Sequence, residues 1–294
     1  MEFRVLKYFL TVTREENITK AAEVLHITQP TLSRQLAQLE EELGVHLFAR
    51  GTRHITLTSE GILLRRRAEE LVALADKTEA ELLETDKQLA GNICFGCGEL
   101  AAMQVLTDII AEFHKAYPLV RYDIFTGTAD VVKERMDKGL IDIGLMMEPV
   151  DMTKFEFIRL PGKEMWGVIM RPDDPLAKKT NIEAKDLQTK PLIFASRFKD
   201  NADLRNWFGS YYAKLPIIFT SNLPTNAAML VCKNMGYAIA IAGVKYFWDP
   251  AKIAFRPLAP AVGASADLFW RRQQPASLSV EKFINFAKCF LSME

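Results

Sequence analysis

The sequence predicts three successive units: an all-α, winged helix-turn-helix N-terminal domain, a long linking helix, and a two-lobed α/β domain. Three observations predict it. Amphipathic helices joined by a tight turn occupy the first stretch, and a hairpin follows them. From Ile62 to Ala90 there is neither Gly nor Pro. Beyond Gly91-Asn92, short apolar strands alternate with helical stretches. A chain of 294 residues is too long for one small core, in keeping with several units.

Residues 2–13 place Phe3, Leu6, Phe9, Leu10 and Val12 on a helical stripe. Residues 18–25 read as a second helix, with Ala21 and Ala22 small enough to let another helix cross nearby. His26-Ile27-Thr28 is the turn. Thr28 is placed to cap a third helix, and Pro30 falls in its first turn, where a missing N–H costs little. Leu32, Leu36, Leu39 and Leu43 commit one face of that helix to a core, and Gly44 is a suitable C-cap. The other face carries Gln29, Thr31, Ser33, Arg34 and Gln38, side chains able to hydrogen-bond base edges and phosphates, and Pro30 beside them is counted with the expected DNA contacts. An ordinary helical hairpin could also present a polar face. Cap, turn, polar face and following hairpin together agree with helix-turn-helix geometry. Residues 45–48 and 54–57 read as two strands of a wing, with Arg50 and Arg53 at its tip. A solvated loop is the alternative there; beside a reading helix, the arginines are expected against phosphates or a minor groove.

Thr58-Ser59-Glu60 starts the long helix. Leu64, Ala68, Leu71, Ala75, Thr78, Leu82, Thr85 and Leu89 recur at alternating spacings of four and three, a heptad seam. A lone exposed helix of this length is marginal, so the seam is expected to pair with a second copy, through Leu64, Leu71, Leu82 and Leu89. Arg65-Arg66-Arg67 is either a solvated face or a contact to DNA backbone. The boundaries that follow are 1–58, 59–90 and 91–294.

In the last unit, 92–95, 121–125, 141–146, 165–170, 191–195, 217–220, 236–241 and 266–270 read as strands. Helices are expected at 100–116, 129–138, 201–213, 225–234 and 278–291. The alternation argues parallel sheets with helical cover. The pattern restarts near residue 162 and closes near 266, giving lobe I as 91–161 plus 267–294 and lobe II as 162–266. In open α/β sheets, ligands bind beyond the carboxyl ends of strands, often at helix N-termini. That singles out Gly96-Cys97-Gly98-Glu99 and Thr126-Gly127-Thr128 in lobe I. In lobe II it singles out Ser196, Arg197, Lys199, Asn222 and Thr225. Each could equally be a turn or cap residue only.

Charge and cysteine content bound the chemistry. Lys and Arg number 37, matched by 37 Asp and Glu, and phosphate attraction would need only a local basic surface. Cys94 and Cys97 have CxxC spacing, but Cys232 and Cys289 are distant and His114 is the sole histidine beyond residue 60, so no metal and no cofactor is expected. Cys94 should face the core, while Cys97, opening a helix, would favour its thiolate; redox sensing through Cys97 is therefore a minority variant. No P-loop or dinucleotide fingerprint appears, and His114 is a poor base for a nucleophile, so an enzyme is not expected. No signal-peptide pattern or membrane-length apolar run is present, which points to a reducing cytoplasm and no membrane partner. A ligand-binding receptor without a DNA role would leave the first 90 residues unexplained.

The N-terminal stretch resembles the corresponding domain of the LysR-type transcriptional regulators. The resemblance rests on Phe3, Leu6, Phe9, Ala21-Ala22, Leu25, Thr28-Gln29-Pro30, Ser33, Leu36, Leu39-Glu40, Leu43-Gly44, Leu47-Phe48, Arg50, Leu57-Thr58 and Gly61. Gly139-Leu140-Ile141-Asp142-Ile143-Gly144 matches the family's third effector-domain strand. The resemblance implies a sequence-specific regulator of bacterial transcription with a periplasmic-binding-protein-like effector domain. It also implies a dimerising linker helix and dimers that pair into tetramers on double-stranded DNA at an interrupted palindromic operator. A small-molecule effector and contact with RNA polymerase complete the expectation. By the same resemblance Gly98, Glu99, Thr128, Ser196 and Thr225 line the effector cleft. The family commonly has a small hydroxyl residue near Glu99. A carboxylate there would satisfy helix N–H groups itself, so the ligand is expected to carry an amine or be neutral.

Overall fold

The structure, a computed structural model, describes residues 1–49, 55–82, 89–149, 153–196, 201–272 and 276–292. The chain forms two compact units, Met1–Leu83 and Glu84–Glu294.

Among the described residues of the first unit the helices are α1 (Phe3–Glu15), α2 (Ile18–Val24), α3 (Gln29–Leu43) and α4 (Ser59–Leu82). Asn17 starts α2, its Oδ1 accepting from the N–H groups of Thr19 (2.9 Å) and Lys20 (3.1 Å). Such a cap is worth about 1 kcal/mol. Thr28 occupies the cap position of α3, but its hydroxyl lies 2.9 Å from the Thr31 hydroxyl instead of on a backbone N–H. Gly44 ends α3 at φ +67°, a conformation that favours glycine. Val5, Leu6, Phe9, Val12, Ala21, Ala22, Leu32, Leu36, Leu39 and Leu47 close the core. Phe3 and Leu43, expected on that face, are exposed: each lies at a helix end, past the reach of the crossing helices.

The hairpin after α3 is shorter than expected. Among the described residues one bridge pairs Phe48 with Leu57, flanked by Ala49 N–H to Thr56 O (2.8 Å) and Thr58 N–H to Leu47 O (3.0 Å). The Glu40 carboxylate accepts from Leu47 N–H (2.6 Å) and Phe48 N–H (3.2 Å), docking the hairpin on α3. Arg50 and Arg53, expected at the tip, lie outside the described residues. Thr58 Oγ1 accepts from Gly61 N–H (3.0 Å) and caps α4.

The expected heptad seam is divided along its length. Leu64, Ala68 and Val72 pack on the core of their own unit. Leu71, Leu74 and Thr78 are exposed, and Leu82 is 81% exposed. Leu89 is in no helix: it is buried in the second unit with Ile93 and Phe95, and so is unavailable to a seam. Thr85 lies outside the described residues.

The second unit contains eleven strands among the described residues. They are β1 (Asn92–Cys97), β2 (Arg121–Thr126), β3 (Ile143–Met147), β4 (Phe155–Arg159), β5 (Glu164–Met170), β6 (Leu192–Ala195), β7 (Ile217–Ser221), β8 (Tyr237–Ile241), β9 (Ala254–Pro257), β10 (Gly263–Ala264) and β11 (Ala266–Arg271). The helices are α5 (Met103–Ala116), α6 (Ala129–Asp137), α7 (Ala184–Leu187), α8 (Ala202–Phe208), α9 (Pro224–Cys232) and α10 (Leu278–Ser292). Two sheets result. Lobe I has the order β2-β1-β3-β11-β4; lobe II has β10-β5-β8-β6-β7, with β9 also paired to β5. The chain leaves lobe I after β4 and returns with β11.

Both sheets are mixed where parallel sheets were expected. β1 runs parallel to β2 and β3, and β6 parallel to β7 and β8. The returning β11 is antiparallel to β3 and β4, and β5 is antiparallel to β8, β9 and β10. A strand arriving from the other lobe needs no crossover helix, so it is free of the parallel direction that βαβ units impose. In lobe I, Phe113 of α5 and Phe283 of α10 pack on one face, and Val132 and Met136 of α6 on the other. In lobe II, Leu204 and Phe208 of α8 cover one face, and Ala228 and Val231 of α9 the other.

Candidate functional site

Two surfaces can carry function, one in each unit. In the first, burial of Leu32, Leu36 and Leu39 leaves Gln29, Pro30, Arg34 and Gln38 exposed on α3, with Thr31 and Ser33 half-buried beside them. Pro30, Arg34 and Gln38 follow one another at intervals of four and form a strip along the helix. Gln38 Nε2 is 3.4 Å from Glu42 Oε1. Glu41 and Glu42 are exposed at the end of α3, so its carboxyl end repels phosphate and its amino-terminal part is the half suited to DNA.

In the second unit, the two lobes enclose a cleft of ≈ 200 Å³. Its walls are the ends of strands and the loops after them. Gly98, Glu99 and Leu100 follow β1, and Gly127 and Thr128 follow β2. Met146 and Met147 end β3, Trp166 comes from β5, and Ala195 and Ser196 lie at the end of β6. Asn222, Leu223 and Pro224 follow β7, and Ile239 to Ile241 finish β8. Of the expected effector residues, Gly98, Glu99, Thr128 and Ser196 line the cleft, as does Asn222. Cys97, Thr126 and Thr225 are not part of its wall, though Thr225 bonds to Glu99. Arg197 and Lys199 lie outside the described residues. Sequence reasoning missed the apolar wall of Met146, Trp166, Phe194 and Ile239, which sits on strands where it reads as core.

Carboxylates cross between the lobes in both directions. Glu99 of lobe I accepts from Thr225 at the start of α9 in lobe II, through the backbone N–H (2.9 Å) and the hydroxyl (2.6 Å). Because Pro224 opens α9 and has no N–H, Thr225 carries the outermost donor of that helix. Reciprocally, Glu164 at the start of β5 in lobe II, 2% exposed, accepts from Ala102 N–H at the start of α5 in lobe I (2.6 Å). The loop carrying Glu99 is held tightly against lobe II. A Cβ on Gly243 would meet Glu99 O at 2.5 Å and Ala101 N at 2.7 Å, so only glycine fits. The helix N–H that Glu99 satisfies belongs to α9 of the opposite lobe.

The cysteines depart from expectation too. Cys97 ends β1 instead of opening a helix, is 3% exposed, and burial pushes its thiol pKa up. Cys94 is half-buried beside Asn92 and Asp123 and does not belong to the core. Three residues apart on a strand, the two point to opposite faces with Cα atoms about 10 Å apart, too far for a disulfide. Among the described residues, no cluster of three or more His, Cys, Asp or Glu is placed to hold a metal ion, and no helix is long and apolar enough to cross a membrane.

Comparison with known proteins covers both units. Residues 3–62 match the family described as bacterial regulatory helix-turn-helix protein, lysR family. Residues 86–291 match the LysR substrate binding domain. The uncharacterized HTH-type transcriptional regulator YvbU of Bacillus subtilis (strain 168) is 29% identical over 295 residues, with 98% of each chain covered. The crystal structure of CbnR, a LysR family transcriptional regulator, shares the fold at a TM-score of 0.75 and 21% identity, covering 99% of both chains. Full-length CbnR in complex with its target DNA gives a TM-score of 0.73 at 21% identity, covering 98% of this chain and 99% of that one.

Proposed function

The chain belongs to the LysR family of DNA-binding transcriptional regulators, and from that premise we propose how its two surfaces divide the work. The amino-terminal part of α3 enters the major groove. Arg34 and Gln29 reach base edges, Thr31 and Ser33 contact bases or phosphates, and Arg50 and Arg53 of the wing hold backbone. The exposed strip on α4 pairs with a second copy, dimers associate into tetramers on an interrupted palindromic operator, and contact with RNA polymerase sets the output. Redox sensing through Cys97 has no support in a buried thiol whose pKa is raised. A receptor without a DNA role has none in a chain whose first 62 residues are matched as a helix-turn-helix regulator from residue 3.

The cleft takes a small-molecule effector. The observation that carries this reading is its wall: Glu99, Thr128 and Met146 from lobe I face Trp166, Ser196 and Ile239 from lobe II, so a ligand there touches both lobes at once. A molecule that binds one interlobe spacing better than another shifts the population of spacings by its difference in affinity. At ≈ 200 Å³ the cavity falls below the roughly 300 Å³ at which drug-sized sites begin, which suits a small metabolite.

A thermal-shift screen of small metabolites on the full chain, followed by footprinting on its own upstream DNA, tests the reading. Compounds that raise the melting temperature should alter the footprint, and Ala195→Phe, which fills the cleft, should abolish both effects. Stabilisation that survives Ala195→Phe, or that never changes the footprint, would place the effector elsewhere.

A further inference from the structure

We propose that the cleft is closed to anionic ligands by the chain's own Glu99, and that it takes an uncharged, mainly apolar molecule. The inference rests on the reading of the cleft as the effector site and specifies what that site accepts.

A helix N-terminus attracts anions through its free N–H groups and the positive end of its dipole. The cleft has such a terminus at α9, and a ligand carboxylate would be expected to dock on it. That place is already filled. Both Glu99 oxygens are engaged by Thr225, one on its N–H and the other on its hydroxyl. The second terminus at the lobe boundary, that of α5, holds the Glu164 carboxylate on Ala102 N–H. An incoming anion would have to displace Glu99 or lie beside it, and like charges held close together in an apolar enclosure repel strongly.

A cation fares little better. Glu99 is the one charged side chain among the described residues lining the cleft, and its charge is already engaged by α9. An ammonium group would surrender its hydration to face Leu100, Met146, Trp166, Phe194 and Ile239. An uncharged molecule incurs neither cost. Its apolar body fits the strand-end wall, while the hydroxyls of Thr128 and Ser196 and the amide of Asn222 offer neutral hydrogen bonds for one polar substituent.

Three probes built on one ring decide it: benzamide, its isostere benzoate, and benzylamine, titrated by calorimetry at up to millimolar concentration on the full-length chain. The wild-type chain should bind benzamide in preference to both charged probes. Glu99→Thr, which leaves the α9 terminus unfilled, should gain benzoate affinity by about tenfold or more. Glu99→Gln, which keeps the shape without the charge, should reduce the discrimination against benzoate. Wild-type binding of benzoate or benzylamine equal to or tighter than benzamide overturns the inference and leaves the cleft as the effector site. So does a preference that neither variant alters. Failure of the wild-type chain to bind benzamide likewise overturns the inference and leaves the cleft reading to the metabolite screen, whereas binding that persists in Ala195→Phe overturns the cleft reading itself and the inference with it.

Discussion

Asp267 shows how a single buried group marks the pH response of the molecule. It lies on β11 at 1% exposure, with Arg159 Nε 3.6 Å from its Oδ1 and Glu148 bonded to the same arginine. Burial pushes its pKa up, the Glu148 charge adds to that, and Arg159 offsets part of it. The folded state therefore binds this proton more tightly than the unfolded chain does. The stabilisation is fully present below the unfolded value of about 4 and is lost as pH rises through the higher folded value. Asp267→Asn should flatten that decline and leave stability near neutral pH equal to or above the wild type. Melting temperatures of both proteins across this acidic window test it; an Asn variant whose stability falls more steeply with rising pH would show Asp267 to be favoured as the anion. At the same scale, residues governed by local rules were legible beforehand. Gly44 at the helix end and Pro30 in the first turn are set by backbone chemistry that the sequence states directly. The destination of Glu99 was not, because its partner Thr225 lies 126 residues away.

Among elements, α4 carries the most informative departure. The heptad pattern was read as one seam, yet Leu64 and Ala68 serve the core of their own unit and Leu89 serves lobe I. The apolar residues left exposed on α4 are Ile62, Leu63, Leu71, Leu74 and Leu82, of which Leu71 and Leu82 belong to the seam. Periodicity shows that a face is apolar; it does not show which neighbour covers it. Leu71→Lys with Leu74→Lys should convert dimer to monomer, as read by sedimentation equilibrium, and leave the melting of the first unit within about 1 kcal/mol. Leu64→Lys should instead unfold that unit. Equal loss of folding in both variants would mean that the strip is intramolecular. In the second unit the main strands were legible from apolar runs bounded by turns. The short edge strands were not: β4 is exposed at three of its five positions, β10 has two residues, and both are made by pairing with distant partners. The same reason hid half the cleft. Its loop residues follow from the rule that ligands bind beyond strand carboxyl ends, whereas Trp166, at the start of β5, reaches the cleft because β5 runs antiparallel to β8 and so sets it beside Ile241.

At the scale of the whole molecule, the proposed function needs a reading helix, a means of pairing and a cleft that takes a ligand. Its centre is the exposed amino-terminal half of α3, because without sequence reading neither pairing nor sensing has an output. Fluorescence anisotropy on a fragment of the chain's own upstream DNA, against a scrambled fragment and at fixed salt, measures that centre directly. The wild-type chain should prefer the upstream fragment. Arg34→Ala should lose about 1–3 kcal/mol on it and almost nothing on the scrambled one, the signature of a base contact. A wild-type chain with no preference between the fragments, or an Arg34→Ala variant that keeps the full preference, would contradict the account.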